Sequence, residues 1–225
     1  MLLYKYYSNI NYALNDIKKG EVYLSSPESF NDGFEATVYD EDFAQYNITE
    51  NLHILCLSPS FSNQSMWGVY ANSEMGVCIG YDVPDYLLNN VRYTNEKITK
   101  NSIDEAITKA HVPQDVIIPI HNISIRKKSA LIKSEDWLHE KEYRIILEEE
   151  DSELISKLGT EKQEFFVKLN AVVVYAGRRS KHNNSNFKEL LKICYDKSID
   201  VFEIKRGVYQ RCLVKGKSIK YEELI

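Results

Sequence analysis

Two hydrophobic periods run through the chain, and its first 26 residues contain both. In LLYKYY, residues 2–7, side chains alternate, so a strand would place Leu2, Tyr4 and Tyr6 on one face and Leu3, Lys5 and Tyr7 on the other. Ile10, Ala13, Leu14 and Ile17 then recur at i, i+3, i+4 and i+7, which predicts a helix capped by Ser8 or Asn9 and closed by Gly20. EVYLSS, residues 21–26, returns to the strand pattern and is stopped by Pro27. A strand, a helix and a second strand thus open the chain.

SPESFNDGFEATVYD follows. Asn31, Asp32 and Gly33 form a turn signal, because Asn and Asp bond nearby backbone and Gly accepts positive φ. Phe30 and Phe34 flank this turn and are expected to anchor it in the core. Beyond it, 52–58 and 75–82 read as strands, with Gly76 and Gly80 marking a bulge or a close backbone approach. A short helix over 63–71 carries Met66, Trp67 and Tyr70. A helical turn is expected over 84–90 and a short strand over 91–94. Residues 95–135 read as a mainly helical insertion, its first helix begun by Ser102 with Glu105 in capping-box position. A packed layer and a lid fit that segment equally well. Later, 148–160 is an acidic connection, 164–169 and 171–176 are strands, 187–195 is an amphipathic helix, and 199–205 and 210–214 complete the sheet.

Many short strands between irregular helices, without regular strand-helix-strand alternation, predict an α+β fold. Its expected core is a twisted, mainly antiparallel sheet with flanking helices. With no repeat and no long linker, residues 1–225 read as a single domain with the 95–135 insertion.

The chemistry concentrates in WLHEKEYRIIL, residues 137–147. A strand begun at Glu140 would put Glu140, Glu142 and Arg144 on one face and Lys141, Tyr143, Ile145 and Leu147 on the other. Two carboxylates about 7 Å apart beside a guanidinium can bind a cation, steady a positive transition state or hold a proton. The same residues also suit a solvated strand face with an ordinary ion pair.

Composition changes this picture little. The 225 residues carry a net charge of −5, which argues against a broad non-specific nucleic-acid surface. Arg178, Arg179, Lys181 and His182 remain a candidate local basic patch. Cys56, Cys78, Cys194 and Cys212 lack metal or redox spacing, and the first, second and last sit in apolar runs that suit buried free thiols. The five His show no ligand spacing, so no metal is expected. No signal or transmembrane-length apolar run is present, so a cytoplasmic protein without a membrane partner is expected.

Taken in order, Leu3–Tyr7, Ser25–Pro27, Phe30–Glu35, Met66–Ala71, Gly76–Tyr81 and Trp137–Arg144 resemble the motifs of an uncharacterised bacterial and phage-associated family, a domain of unknown function. That family's pattern reads LYKYR, SSP, FNDPFE, MWxxYA, GVCIGF and WxxExEYR. The chain departs from it in Tyr7 for Arg, Gly33 for Pro and Val69 for His. A looser similarity links the layout to ADP-ribosyltransferases, many of which carry Glu-x-Glu on a late strand, as Glu140-Lys141-Glu142 does here.

The looser resemblance implies an enzyme using NAD as substrate, a toxin or phage-defence effector with a protein or nucleic-acid acceptor. Glu142 would bond the nicotinamide ribose and stabilise oxocarbenium character, and Glu140 would orient or deprotonate the acceptor. Tyr23 or Ser25 would lie beneath the nicotinamide, with Tyr4, Lys5 and Arg144 as further cofactor contacts. Tyr7 in place of Arg removes the expected phosphate anchor, a role Lys5 could take over. A carboxylate placed for such chemistry predicts that Glu142→Gln leaves stability almost unchanged. Two other readings stand beside this one. One is a metal-dependent phosphodiesterase gathering Asp32, Glu35, Glu140 and Glu142, with Lys141 or Arg144 on phosphate. The other is a non-catalytic binding or regulatory module whose motif residues, with Trp67 and Trp137, build the fold.

Overall fold

The computed structural model describes residues 1–39, 45–47, 51–118, 123–148, 165–180, 185–208 and 212–221. The expected connection beyond Glu148, and Lys181 and His182 of the basic patch, lie outside them. The fold is α+β with mainly antiparallel strands. Its residues group into two compact units: 1–22, 58–83 and 168–225 in the first, 23–57 and 84–167 in the second.

The first unit is built on a five-stranded sheet. β1 (Leu2–Tyr7) is followed by α1 (Ile10–Lys19), with Asn9 accepting from the Asn11 N–H and Gly20 taking φ 68° as the left-handed cap. The chain then passes β2 (Glu21–Tyr23) into the second unit, where β3 (Thr37–Tyr39), β4 (Gln45–Asn47) and β5 (Leu52–Leu57) lie. It returns through α2 (Gln64–Val69) and β6 (Val77–Asp82). The second unit takes up the chain again with β7 (Asn89–Asn90), β8 (Arg92–Tyr93), α3 (Ile103–Lys109), α4 (Ile125–Ser129), β9 (Ile132–Lys133) and β10 (Tyr143–Glu148). β11 (Phe166–Lys168), β12 (Asn170–Ala176), α5 (Ser185–Asp196), β13 (Asp200–Arg206) and β14 (Leu213–Ser218) close the sequence.

Strand order in the large sheet is β1-β6-β12-β13-β14. All neighbours are antiparallel except β12 and β13, which run parallel with α5 between them in sequence. The β1 alternation is as the sequence predicts. Tyr4 and Tyr6 pack with Trp67, Met66 and Cys78 on one face of the sheet. On the other face, the Tyr7 hydroxyl meets Tyr81 at 2.6 Å and donates to Asp16 of α1 at 2.8 Å. Ile10, Ala13, Leu14 and Ile17 of α1 are all buried, as their spacing requires. Gly76 and Gly80 mark close approaches, to the Tyr7 carbonyl and to the Val173 and Tyr4 side chains, while the bulge lies in the partner strand β12, between Ala171 and Val173.

In the second unit β10 is the middle strand of an antiparallel trio, β5-β10-β7. Every residue of β10 is buried, so the strand has no solvated face. Ile146 packs with Ile54, Leu52, Ala36, Ala130 and Leu131. A second cluster joins Val38 and Ile98 to Ile103, Ala106 and Ile107 of α3, so this helix is a packed layer.

Several expectations are corrected. The insertion is less helical than expected, since its described part holds only α3, α4 and the short β9. Ser102 stands at the N-cap of α3 as expected, but its hydroxyl is tied to Thr99 and caps no helix N–H. Phe34 is 66% exposed, whereas Phe30 is half-buried. The Asp32 carboxylate takes the Phe34 N–H at 2.9 Å, as the turn signal predicts, and this turn sends Glu35 and Ala36 inward in place of Phe34. Cys78 is buried as expected, but Cys56 and Cys212 are only partly so.

Candidate functional site

β10 does not begin at Glu140. Residues 135–140 form a 3-10 turn started by Ser134, whose side chain accepts from the Asp136 N–H. Lys141 then takes the left-handed conformation with φ 49°, reversing the chain before the strand starts at Tyr143. Glu140 and Glu142 are therefore not successive residues of one strand face. They meet through a residue the sequence reading had not singled out, Lys133 of β9, whose ammonium donates to Glu140 at 2.6 Å and to Glu142 at 3.3 Å.

Arg144 completes the cluster. Its Nε donates to Glu142 Oε1 at 3.1 Å and its Nη2 to Glu142 Oε2 at 3.0 Å. The guanidinium also makes a two-pronged pair with Glu35, through Nη1 to Oε1 and through Nη2 to Oε2 at 3.0 Å, and Nη1 donates to the Ala130 carbonyl at 2.6 Å. Side-chain exposure is 0% for Arg144, 3% for Glu35 and Glu140, and 5% for Lys133 and Glu142. Three carboxylates and two cations thus share a site closed to water. Aromatic rings border it: the Lys133 ammonium lies 4.9 Å from the Trp137 ring centre, and the Arg144 guanidinium carbon 5.8 Å from that of Phe30.

The backbone of Glu142 is equally occupied. Its N–H donates to the Tyr93 hydroxyl at 2.9 Å, and its carbonyl accepts from the Val91 N–H at 3.0 Å and the Gln114 amide at 2.7 Å. Burial pushes the Glu142 carboxyl up, but Arg144 and then Lys133 outweigh it and hold the group at about 2. The carboxylate is therefore ionised across the physiological range. Cys56, opposite Arg144 on β5, has a thiol raised well above its usual value, by burial first and by Glu142 second, which leaves it a poor nucleophile.

The other residues expected at a cofactor site have partners of their own. In the first unit, Tyr4 pairs through its backbone with Ser58 and packs its ring edge-on to Phe61 and Tyr175. Its hydroxyl is pushed up to about 12 by burial and then by Tyr175. Lys5 reaches Asp16 at 3.5 Å and lies over the Tyr7 ring. In the second unit, Tyr23 packs against Phe166, and Ser25 exchanges backbone hydrogen bonds with Ile54. Of the expected residues, Glu140, Glu142 and Arg144 come together, joined by Glu35. Asp32 stays in its own turn. Lys133, Tyr93 and Gln114 left only a faint trace in the sequence, a single lysine in the apolar run ALIK.

No helix among the described residues is long and apolar enough to cross a membrane. No curated protein and no solved structure matches the chain. Residues 66–145, the span holding the Met66–Ala71, Gly76–Tyr81 and Trp137–Arg144 motifs and most of the buried cluster, match the model of a protein family of unknown function (DUF2971), and the uncharacterised family expected from the sequence is the one they fit.

Proposed function

We propose that the chain is a non-catalytic binding or regulatory module, in which the motif carboxylates hold the second unit together. The observation that carries this reading is the state of Glu142: both oxygens are engaged by Arg144, one of them also by Lys133, and its side chain is 5% exposed. A carboxylate that stabilises an oxocarbenium ion needs a face open to the sugar. Here that face is filled by the cations of the protein itself. The phosphodiesterase reading meets the same difficulty, since Arg144 and Lys133 already pair with Glu35, Glu140 and Glu142 and offset two of the three charges a divalent ion would neutralise.

The test incubates the purified full chain with labelled NAD, alone and with protein and nucleic-acid acceptors, and follows nicotinamide release and label transfer. Neither is expected. Turnover by wild type that disappears in a folded Glu140→Gln or Glu142→Gln protein would overturn the module reading and restore an NAD-using, ADP-ribosyltransferase-like enzyme.

A further inference from the structure

The first unit contains a pocket of about 730 Å³, within the range of small-molecule sites. Its walls come from the start of α1, the end of α2, the turn after it and the turn after β12. Among the described residues that line it, Arg179 is the single charged side chain. The neighbouring Arg178 is neutralised by a two-pronged pair with Glu74. Arg179 has no carboxylate partner among the described residues, only a 3.4 Å contact to the Ser73 carbonyl. The positive end of α1 adds to this imbalance, since its first turn carries no acidic residue. Ile10, Val69 and Met75 line it together with the polar Ser8, Asn9 and Asn72.

The wall is also preorganised. Asn72, Ser73 and Glu74 hold successive positive φ values of 48°, 53° and 67°, a conformation that persists only where its surroundings impose it. The Glu74 carbonyl accepts from the Arg179 N–H at 3.0 Å, and the Glu74 N–H donates to Trp67 at 3.2 Å. Gly76 and Gly177 let these segments close up, for a β-carbon at either would collide with a backbone carbonyl, that of Tyr7 or of Glu74. A pocket with a preorganised wall, a guanidinium that has no carboxylate partner among the described residues and a partly apolar lining fits one ligand chemistry. We infer that this pocket binds a small phosphate-bearing molecule of about mononucleotide size, with Arg179 on the phosphate and the Ile10, Val69 and Met75 wall against the rest. The inference rests on the binding-module reading and gives that module its site.

The experiment titrates the full chain by calorimetry with adenosine monophosphate, adenosine and inorganic phosphate. Adenosine monophosphate is expected to bind more tightly than either fragment. Arg179→Ala should weaken it by about tenfold or more, the usual effect of losing a charge-assisted hydrogen bond. Position 69, already exposed, gives a signed control that does not depend on Arg179: Val69→Glu should weaken binding and Val69→Lys should strengthen it. Absence of binding by all three probes, or binding unchanged by both Arg179→Ala and the position 69 pair, overturns the inference. Those results leave the module reading standing, whereas NAD turnover in the labelled assay removes that reading whatever the pocket binds.

Discussion

Replacing Arg144 with Met removes the centre of the buried cluster while keeping a chain of similar length. The change deletes five hydrogen bonds, two to Glu35, two to Glu142 and one to the Ala130 carbonyl. It leaves Glu35 and Glu142 buried, with Lys133 as the nearest remaining cation for Glu142. Breaking one buried ion pair by removing a partner costs about 3–5 kcal/mol. Because Glu35 loses its two-pronged partner and Glu142 one of its two cations, the upper part of that range applies. At about 2–4 °C per kcal/mol for a chain of this size, the melting temperature should fall by about 10 °C or more. The assay is urea and thermal unfolding at pH 7, with Glu35→Gln/Glu142→Gln/Arg144→Met as the compensated variant. That triple variant should recover part of the loss, since neutral amides leave far less charge to strand than carboxylates do. A single variant within about 0.5 kcal/mol of wild type, the scatter expected of surface substitutions, would refute the view that the cluster supports the fold.

Two further outcomes follow from the same geometry. The Glu142 carboxyl is depressed from its ordinary 4.5 to about 2, so its contribution is fully present above about pH 4.5 and is lost as pH falls towards 2. That loss amounts to about 3 kcal/mol, and denaturant midpoints measured from pH 6 down should show Glu142→Gln, less stable at neutral pH, converging on wild type in acid; parallel curves would refute it. Gly76→Ala forces a β-carbon into the Tyr7 carbonyl, and about 3 kcal/mol of lost stability by urea unfolding is expected, with a neutral result showing that the β1–β6 approach is not as close as described.

The sequence made the first unit far more legible than the second, and the reason is physical. β1 and α1 carry their structure in local periodicity and β12 in an unbroken apolar run, so neighbouring residues alone reveal all three. Cys78 in GVCIG and the Ile10-Ala13-Leu14-Ile17 stripe could be placed in the core before any fold was known. WLHEKEYRIIL was found just as readily, but the assumption of a single strand beginning at Glu140 misplaced its charges. Nothing local announces that Lys141 turns left-handed, and alternation then assigns Glu142 and Arg144 to water.

What overrode that pattern was tertiary. Lys133 arrives from eleven residues before Arg144 and Glu35 from more than a hundred, and charges that cannot be buried singly can be buried as a mutually satisfied set. The same reasoning reverses the expectation that Glu142→Gln is nearly silent. A carboxylate awaiting a substrate leaves a lone pair unclaimed, whereas Glu142 accepts from Arg144 on both oxygens and from Lys133 on one. Substituting the amide keeps the shape but removes the charge that both cations require, so the penalty falls on Arg144 and Lys133 as much as on position 142. A spacing such as Glu-x-Glu-x-Arg is therefore ambiguous between an active-site edge and a closed ionic core, and only the origin of the facing cations separates the two: a substrate brings them in the first case, the chain itself in the second.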